Sequence, residues 1–304
     1  MLNLIVMVGL PGSGKSFWAE RHAEQYGAVV ISSDAIRKEL YGDEAVQYNP
    51  EKVFRILHDR VSTNLRNGKS VIYDATNLSM KRRRGFLRQL SSAVNAPIHK
   101  ICVFMATPIE RCIARDFARD RTVGKSVIHR MACSFQVPYY NEGWDNIIVE
   151  EYYASKVYMS EEMDKAVDFD QKNHHHSLTL GNHIAVAAKH VINAHGSFEA
   201  ITAADYHDIG KLYVQTTDED GECHYKGHDN YGAYLYLTSD RASVLSRHYG
   251  WNKALYIATL INWHMLPYQL KTRSELRRWA AQHGFTEEFS NDLWELHLAD
   301  KEAH

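Results

Sequence analysis

Gly9-Leu10-Pro11-Gly12-Ser13-Gly14-Lys15-Ser16 decides the fold of the first half of this chain. It is a G-x-x-x-x-G-K-S loop. The apolar run Leu4–Val8 precedes it, and Phe17, Trp18, His22 and Tyr26 follow at helical spacing, so it lies between a buried strand and an amphipathic helix. Gly9, Gly12 and Gly14 let backbone N–H groups converge on phosphate oxygens, with Pro11 and Ser13 completing the cradle. The helix that follows adds the positive end of its dipole. Lys15 reaches the β- and γ-phosphates, and the Ser16 hydroxyl is a ligand for Mg²⁺. The expected donor is ATP or GTP with Mg²⁺.

Further strand-like runs recur at Val29–Ile31, Val71–Tyr73, Ile101–Met105 and Ile147–Val149, separated by helical stretches. Short apolar strands alternating with helices predict a doubly wound parallel α/β sheet, in which ligands bind beyond the carboxyl ends of the strands. Polar residues that follow the strands are therefore the candidates. Asp34 follows the second run and can take the proton of an attacking hydroxyl, or it can cap a helix starting at Ala35. Arg37, three residues on, can grip a phosphate on the acceptor. Asp74, Thr76 and Asn77 follow the third run; they can orient the Mg²⁺ shell and line an acceptor groove, or form a plain strand-to-helix turn.

Charge is uneven although the net charge is only -2. Between Lys81 and Arg130 twelve Lys and Arg face three acids, whereas Glu142 to Asp170 is acidic. A basic block suits a polyanionic substrate, and a solvated helix face is its plain alternative. Within the block, Arg115 and Arg119 are four residues apart and are expected on one helical face, with Arg121 beyond. They can form a lid that neutralises charge on the donor, or a surface salt-bridge helix with Asp116 and Asp120.

The segments GLPGSGKS, SSDAIR, VIYDATN and RCIARDFARDR, followed by VIHRMACSFQVPYYNEGWDNI, resemble the kinase module of polynucleotide 5′-kinases of the end-healing type. The resemblance covers roughly residues 1–150, with order and spacing kept. It implies that Asp34 is the general base, that Arg37 contacts the acceptor's phosphate, and that Arg115 and Arg119 bind the donor phosphates. Small-molecule kinases share these segments in part.

From about Met163 the strand pattern stops, and apolar residues recur at helical spacing through Leu178–Ile192, Ala233–Leu237, Ala254–Trp263 and Phe289–Leu298. An all-α bundle is expected, with domains at residues 1–155 and 165–304. The histidines concentrate here. His183, His207-Asp208, His228, His264 and Asp300 carry nitrogen and oxygen donors suited to first-row divalent metals. In this order they resemble the HD phosphohydrolase superfamily, with H…HD…D as its signature and His207-Asp208-Ile209-Gly210-Lys211 as its centre. The resemblance implies that His183, His207, Asp208 and Asp300 hold one metal, and that His228 and His264 belong to a second. Mn, Ni, Co, Zn or Fe would serve. Asp208 can bridge the ions, and Lys211 can stabilise a phosphoryl oxygen. His174-His175-His176 is expected near the site or on a surface turn.

At 304 residues, 45% hydrophobic and 24% charged, the chain has the composition of a soluble two-domain protein. It shows no apolar run of the roughly 20 residues that span a bilayer and no leader pattern. Four cysteines without a C-x-x-C pair suit a reducing cytoplasm. The combined expectation is a bifunctional end-healing enzyme that phosphorylates 5′-hydroxyl ends of RNA or DNA and hydrolyses 2′,3′-cyclic or terminal 2′/3′ phosphates, with a ligase acting downstream. Two alternatives remain open: a small-molecule kinase fused to a nucleotide phosphohydrolase, and a non-catalytic nucleotide-gated sensor.

Overall fold

Apolar runs become five parallel strands: β1 (Leu2–Val8), β2 (Ala28–Ser32), β3 (Ser70–Asp74), β4 (Ile98–Ala106) and β5 (Asn146–Glu151). They lie in the order β2-β3-β1-β4-β5, with Ile5 opposite Ile72 on one side and Ile101 on the other. Every pairing is parallel. Leu4–Val8 and Val71–Tyr73 are buried throughout. A strand covered on both faces needs a continuous apolar run rather than alternation. The computed structural model describes all residues except 47, 120, 121, 173–176 and 304. Arg121 and His174, His175 and His176 lie outside the described residues.

Helices α1 (Lys15–Ala23), α2 (Ser33–Tyr41), α3 (Pro50–Arg66), α4 (Met80–Ala93), α5 (Ile109–Phe117) and α6 (Lys125–Ala132) intervene. On α1, Trp18 and Ala19 pack with Ile5, Met7, Ile72, Ile101, Val103 and Met105. Phe17, expected on the same buried face, is 70% exposed, and Tyr26 lies past the helix end. Arg83 of α4 also departs from expectation. It belongs to the basic block by sequence, yet its side chain is fully buried. Its Nε and Nη2 donate to Glu142 Oε2 and Oε1 at 2.7 and 2.6 Å. Its Nη1 donates to the carbonyls of Asn77 and Leu78 at 2.9 and 3.0 Å. One cation of the block is therefore structural.

The chain divides into two compact units, Met1–Ile128 with Glu142–Tyr152, and His129–Asn141 with Tyr153–His304. The second unit is helical: α7 (Met159–Val167), α8 (Leu180–Asn193), α9 (Phe198–Tyr206), α10 (Lys211–Val214), α11 (His228–Leu237), α12 (Asp240–Tyr249), α13 (Trp251–Trp263), α14 (Leu266–Leu270), α15 (Arg273–Gln282) and α16 (Glu287–Glu302). It is not all-α, because β6 (Thr216–Thr217) and β7 (Cys223–His224) form a short antiparallel hairpin. α13 is apolar on every side, and Ala254, Leu255, Ile257, Ala258, Leu260 and Ile261 are fully buried. Such a helix belongs at the centre of a bundle; here it packs on α9, α11, α12 and α16. Among the described residues no helix is long and apolar enough to cross a membrane.

Candidate functional site

The phosphate loop leaves β1 and enters α1. Gly12 sits at φ +78, where a Cβ would lie 2.3 Å from the carbonyl oxygen of Cys112. Gly12→Ala should therefore cost at least about 1–3 kcal/mol from the left-handed backbone alone. The measurable outcome is loss of the ATP-dependent rise in melting temperature; an undiminished rise would mean that this loop does not bind the donor. Thr107, the polar residue after β4, braces the loop by donating its hydroxyl to Ser13 O at 2.8 Å. Lys15 Nζ donates to Leu10 O at 2.7 Å. Burial pushes the Lys15 ammonium below its ordinary value, against the opposing charges of Asp74 and Asp34. The Ser16 hydroxyl donates to Asp74 Oδ2 at 2.7 Å, so the carboxylate ending β3 meets the hydroxyl expected to bind Mg²⁺. Burial pushes the Asp74 carboxyl up, although Lys15 and Ser16 oppose the shift. Asn77 is spent differently from the expected groove, since its amide donates to Met7 O at 2.9 Å.

The capping alternative for Asp34 falls away. α2 starts at Ser33, and Ser32 is its cap, accepting from Asp34 N through its hydroxyl at 3.2 Å. The Asp34 carboxylate, 53% exposed, instead pairs with Arg37 Nη1 at 2.6 Å. It contributes to the field at Lys15. The carboxylate is thus held by Arg37 within α2 while half of it stays open to solvent.

Arg115 Nη1 reaches the carbonyls of Gly12 and Ser13 at 3.4 and 3.3 Å. Its guanidinium lies 4.8 Å from the Tyr152 ring centre, which Arg111 also faces at 5.4 Å. The expected shared helical face of Arg115 and Arg119 is not present, because α5 ends at Phe117. Arg119 lies past the helix end, yet near enough to Lys15 to oppose its charge. Asp116 does not serve as the acid of a salt-bridge helix. It is buried, and its carboxylate accepts from the backbone N–H groups of Val123 and Gly124 at 2.9–3.1 Å.

In the second unit five helix ends deliver the other candidate residues. His183 lies in the first turn of α8, His207 ends α9 with Asp208 next, His228 opens α11, His264 ends α13, and Asp300 lies in the last turn of α16. They form two buried groups that share Asp208: His183, His207, Asp208 and Asp300, and Asp208, His228 and His264. In the first, His183 Nε2 lies 3.2 Å from His207 Nε2, 3.2 Å from Asp208 Oδ2 and 3.1 Å from Asp300 Oδ1. In the second, Asp208 Oδ1 lies 3.0 Å from His228 Nε2 and 3.5 Å from His264 Nε2, which are 3.1 Å apart. Asp208 thus presents one oxygen to each group.

Each imidazole is held from behind by a backbone carbonyl. His183 Nδ1 bonds Ala303 O at 2.9 Å, His207 Nδ1 bonds Ala204 O at 2.9 Å, and His228 and His264 bond Tyr225 O and Ile261 O at 2.7 Å. A carbonyl only accepts, so each Nδ1 carries a proton, and each ring, once Nε2 is deprotonated, presents its Nε2 lone pair inward. Four Nε2 atoms and two carboxylates face inward at 3.0–3.5 Å, a concentration of donor atoms that either protons or a bound cation can neutralise. The spacing fits one: ligand atoms about 2.1 Å from an ion and about 90–110° apart are separated by about 3.0–3.4 Å. The electrostatics agree. Burial would push Asp208 up, but Lys211 and His207 hold it well below the ordinary carboxylate range. Burial likewise opposes ionisation of Asp300, which His183 and His207 hold well below that range. Burial would lower His183, but Asp208 and Asp300 carry it up to about 10, so the pocket demands positive charge. Asp208 Oδ2 has no hydrogen-bond donor aligned on it among the described residues, although Lys211 Nζ lies 2.6 Å away. Imidazole and carboxylate donors without thiolate suit Mn, Fe, Co, Ni or Zn.

Two contributors carried no sequence signal, and a third, Gly210, lies inside the His207–Lys211 motif without a role assigned to it there. Gly210 lets the turn after Asp208 approach α11, since a Cβ there would lie 2.1 Å from His228 O. Gln171 accepts from Lys211 Nζ at 2.9 Å through its side-chain oxygen. Tyr268 donates to Asp300 Oδ2 at 3.0 Å. Gln171 and Tyr268 act across 40 and 32 residues, which no local pattern reveals.

Residues 4–138 match the AAA domain family. No curated protein matches the chain. Similar solved structures include a chain of the Pnkp1/Rnl/Hen1 RNA repair complex, at 23% identity and TM-score 0.39 over 44% of this chain and 43% of that one. A gluconokinase from Sinorhizobium meliloti 1021 is similar at 19% identity and TM-score 0.34, over 48% of this chain and 81% of that one. A shikimate kinase from Acinetobacter baumannii is similar at 22% identity and TM-score 0.34, over 49% and 83%. The chain spans less than half the length of the repair-complex chain it matches. Its first unit is a parallel α/β domain carrying a phosphate loop, within the stretch that matches the AAA domain family, and a helical region follows.

Proposed function

We propose that this chain is a bifunctional nucleic-acid end-healing enzyme with functional domains at residues 1–155 and 165–304. The observation that carries the proposal is a phosphate loop in the same chain as four histidine Nε2 lone pairs converging around Asp208. Phosphate addition and phosphate removal in one polypeptide suit the conditioning of two ends before a ligase joins them. In the kinase half, ATP or GTP occupies the loop with Mg²⁺ at Ser16. Asp34 takes the proton of the 5′-hydroxyl, and Arg37 steadies Asp34 and meets the acceptor's phosphate. Lys15, Arg115 and Arg119 neutralise the charge on the transferring phosphoryl group, a role the lid segment's Arg121 would share.

In the helical half, His183, His207, Asp208 and Asp300 would hold one divalent ion, and Asp208, His228 and His264 a second. The ions supply Lewis acidity and lower the pKa of water. Lys211 balances the charge of Asp208 and would stabilise a phosphoryl oxygen of the substrate. The nucleic-acid substrate is supported by the likeness of the Ser32–Arg37 and lid segments to polynucleotide kinases and by the basic block.

A single-stranded RNA with a 5′-hydroxyl and a 2′,3′-cyclic phosphate, incubated with ATP, Mg²⁺ and Mn²⁺, Ni²⁺ or Co²⁺, tests the proposal. Wild type is expected to process both ends. Lys15→Ala is expected to lose 5′ phosphorylation while still opening the cyclic phosphate. If neither end changes while a nucleoside or small metabolite is phosphorylated, the small-molecule alternative replaces this one. Absence of turnover by either half would leave the nucleotide-gated sensor.

A further inference from the structure

Asp300 divides its two oxygens between two tasks. Oδ1 faces His183 and His207 Nε2 at 3.1 and 3.4 Å. Oδ2 accepts from the Tyr268 hydroxyl at 3.0 Å. The carboxylate torsion of an aspartate is broad and has no strongly preferred setting of its own, so an outer hydrogen bond is needed to aim one oxygen inward. Tyr268 is well placed to supply it. It lies on α14, which begins two residues after His264 and is anchored by buried Pro267. Its ring meets His297 edge-to-face at 4.5 Å, one turn before Asp300 on α16. The residue is 37% exposed, so its ring can be trimmed without opening a closed core. His264 belongs to one ligand group and Asp300 to the other, so α14 ties the two together.

We infer that Tyr268 is a positioning residue: its hydroxyl holds Asp300 with Oδ1 aimed at the ion, and through α14 it links the two ligand groups. The inference rests on the metal reading above. It assigns no contact with substrate.

The test measures metal affinity, without turnover, on the full-length chain. Protein stripped with a chelator is titrated with Mn²⁺ or Co²⁺ against a chromophoric chelator. Tyr268→Phe removes one oxygen from a partly exposed ring and is expected to weaken binding by about 10–100-fold. Tyr256→Phe is the control, because it removes a like phenol–carboxylate bond, to Asp292 Oδ2 at 2.8 Å, away from the cluster. It is expected to leave metal affinity unchanged. Tyr268→Leu also deletes the ring and is expected to lose no more affinity than Tyr268→Phe, because the hydroxyl carries the effect. Wild-type affinity in Tyr268→Phe, or equal losses in Tyr268→Phe and Tyr256→Phe, would overturn the inference and leave the metal reading standing. A wild-type chain that binds no divalent ion would overturn the metal reading itself, and this inference with it.

Discussion

Asp208→Asn is expected to abolish metal-dependent phosphate hydrolysis while 5′ phosphorylation continues. Asp208 is the residue the two groups share, with Oδ1 against His228 and His264 and Oδ2 against His183 and His207. The amide keeps the shape and loses the charge. Its NH₂ group can donate to an imidazole Nε2, which offsets the lost charge. The variant should therefore fold and melt near wild type, but show no rise in melting temperature with Mn²⁺ or Co²⁺. The loss of hydrolysis should exceed the roughly 10–100-fold cost of removing an outer partner, because a ligand of both groups is gone. A variant that still hydrolyses cyclic phosphate, or is still stabilised by metal, would show that the histidine cluster is not the hydrolytic site.

Arg83→Met is expected to cost about 3–5 kcal/mol, because it leaves Glu142 buried and charged with its guanidinium partner gone. Both side chains are fully buried, so solvent cannot relieve the loss. The effect should reach the loop. Arg83 holds the carbonyls of Asn77 and Leu78, Asn77 holds Met7 O, and Gly9 N donates to Thr76 O at 3.1 Å. The double variant Arg83→Met/Glu142→Leu should recover most of the stability, since an apolar pair of similar volume replaces a buried ion pair at little net cost. Denaturant unfolding of wild type, single and double variants checks this. A single variant within about 1 kcal/mol of wild type would reduce the pair to a surface-like contact.

The strands of the first unit were legible because β1 and β3 are covered on both faces, which leaves an unbroken apolar run such as Leu4–Val8 in the sequence. The loop was legible because its glycines are demanded by backbone geometry. The end of α5 was not legible, because the RDFARD stretch carries no breaker and Asp116 is drawn to the N–H groups of Val123 and Gly124. Arg83 looked like one cation in a row of four; its partner Glu142 is 59 residues away. In the helical unit, residue types and order nominated the candidate ligands. The direction of each Nε2 could not be nominated that way, since carbonyl groups set it. Ser32 took the capping place that Asp34 competed for, a choice between neighbours that local preference leaves nearly even.

Those carbonyls also set a schedule for the chain as it leaves the ribosome. For His207, His228 and His264 the orienting carbonyl lies three residues upstream, on Ala204, Tyr225 and Ile261. Each of these rings can take its bearing as soon as its own helix end has formed. His183 instead depends on Ala303, and the adjoining carboxylate on Asp300. The earliest of the four histidines to be synthesised is thus the last to be aimed. A nascent chain can complete its phosphate loop long before its helical half has brought the histidine cluster together.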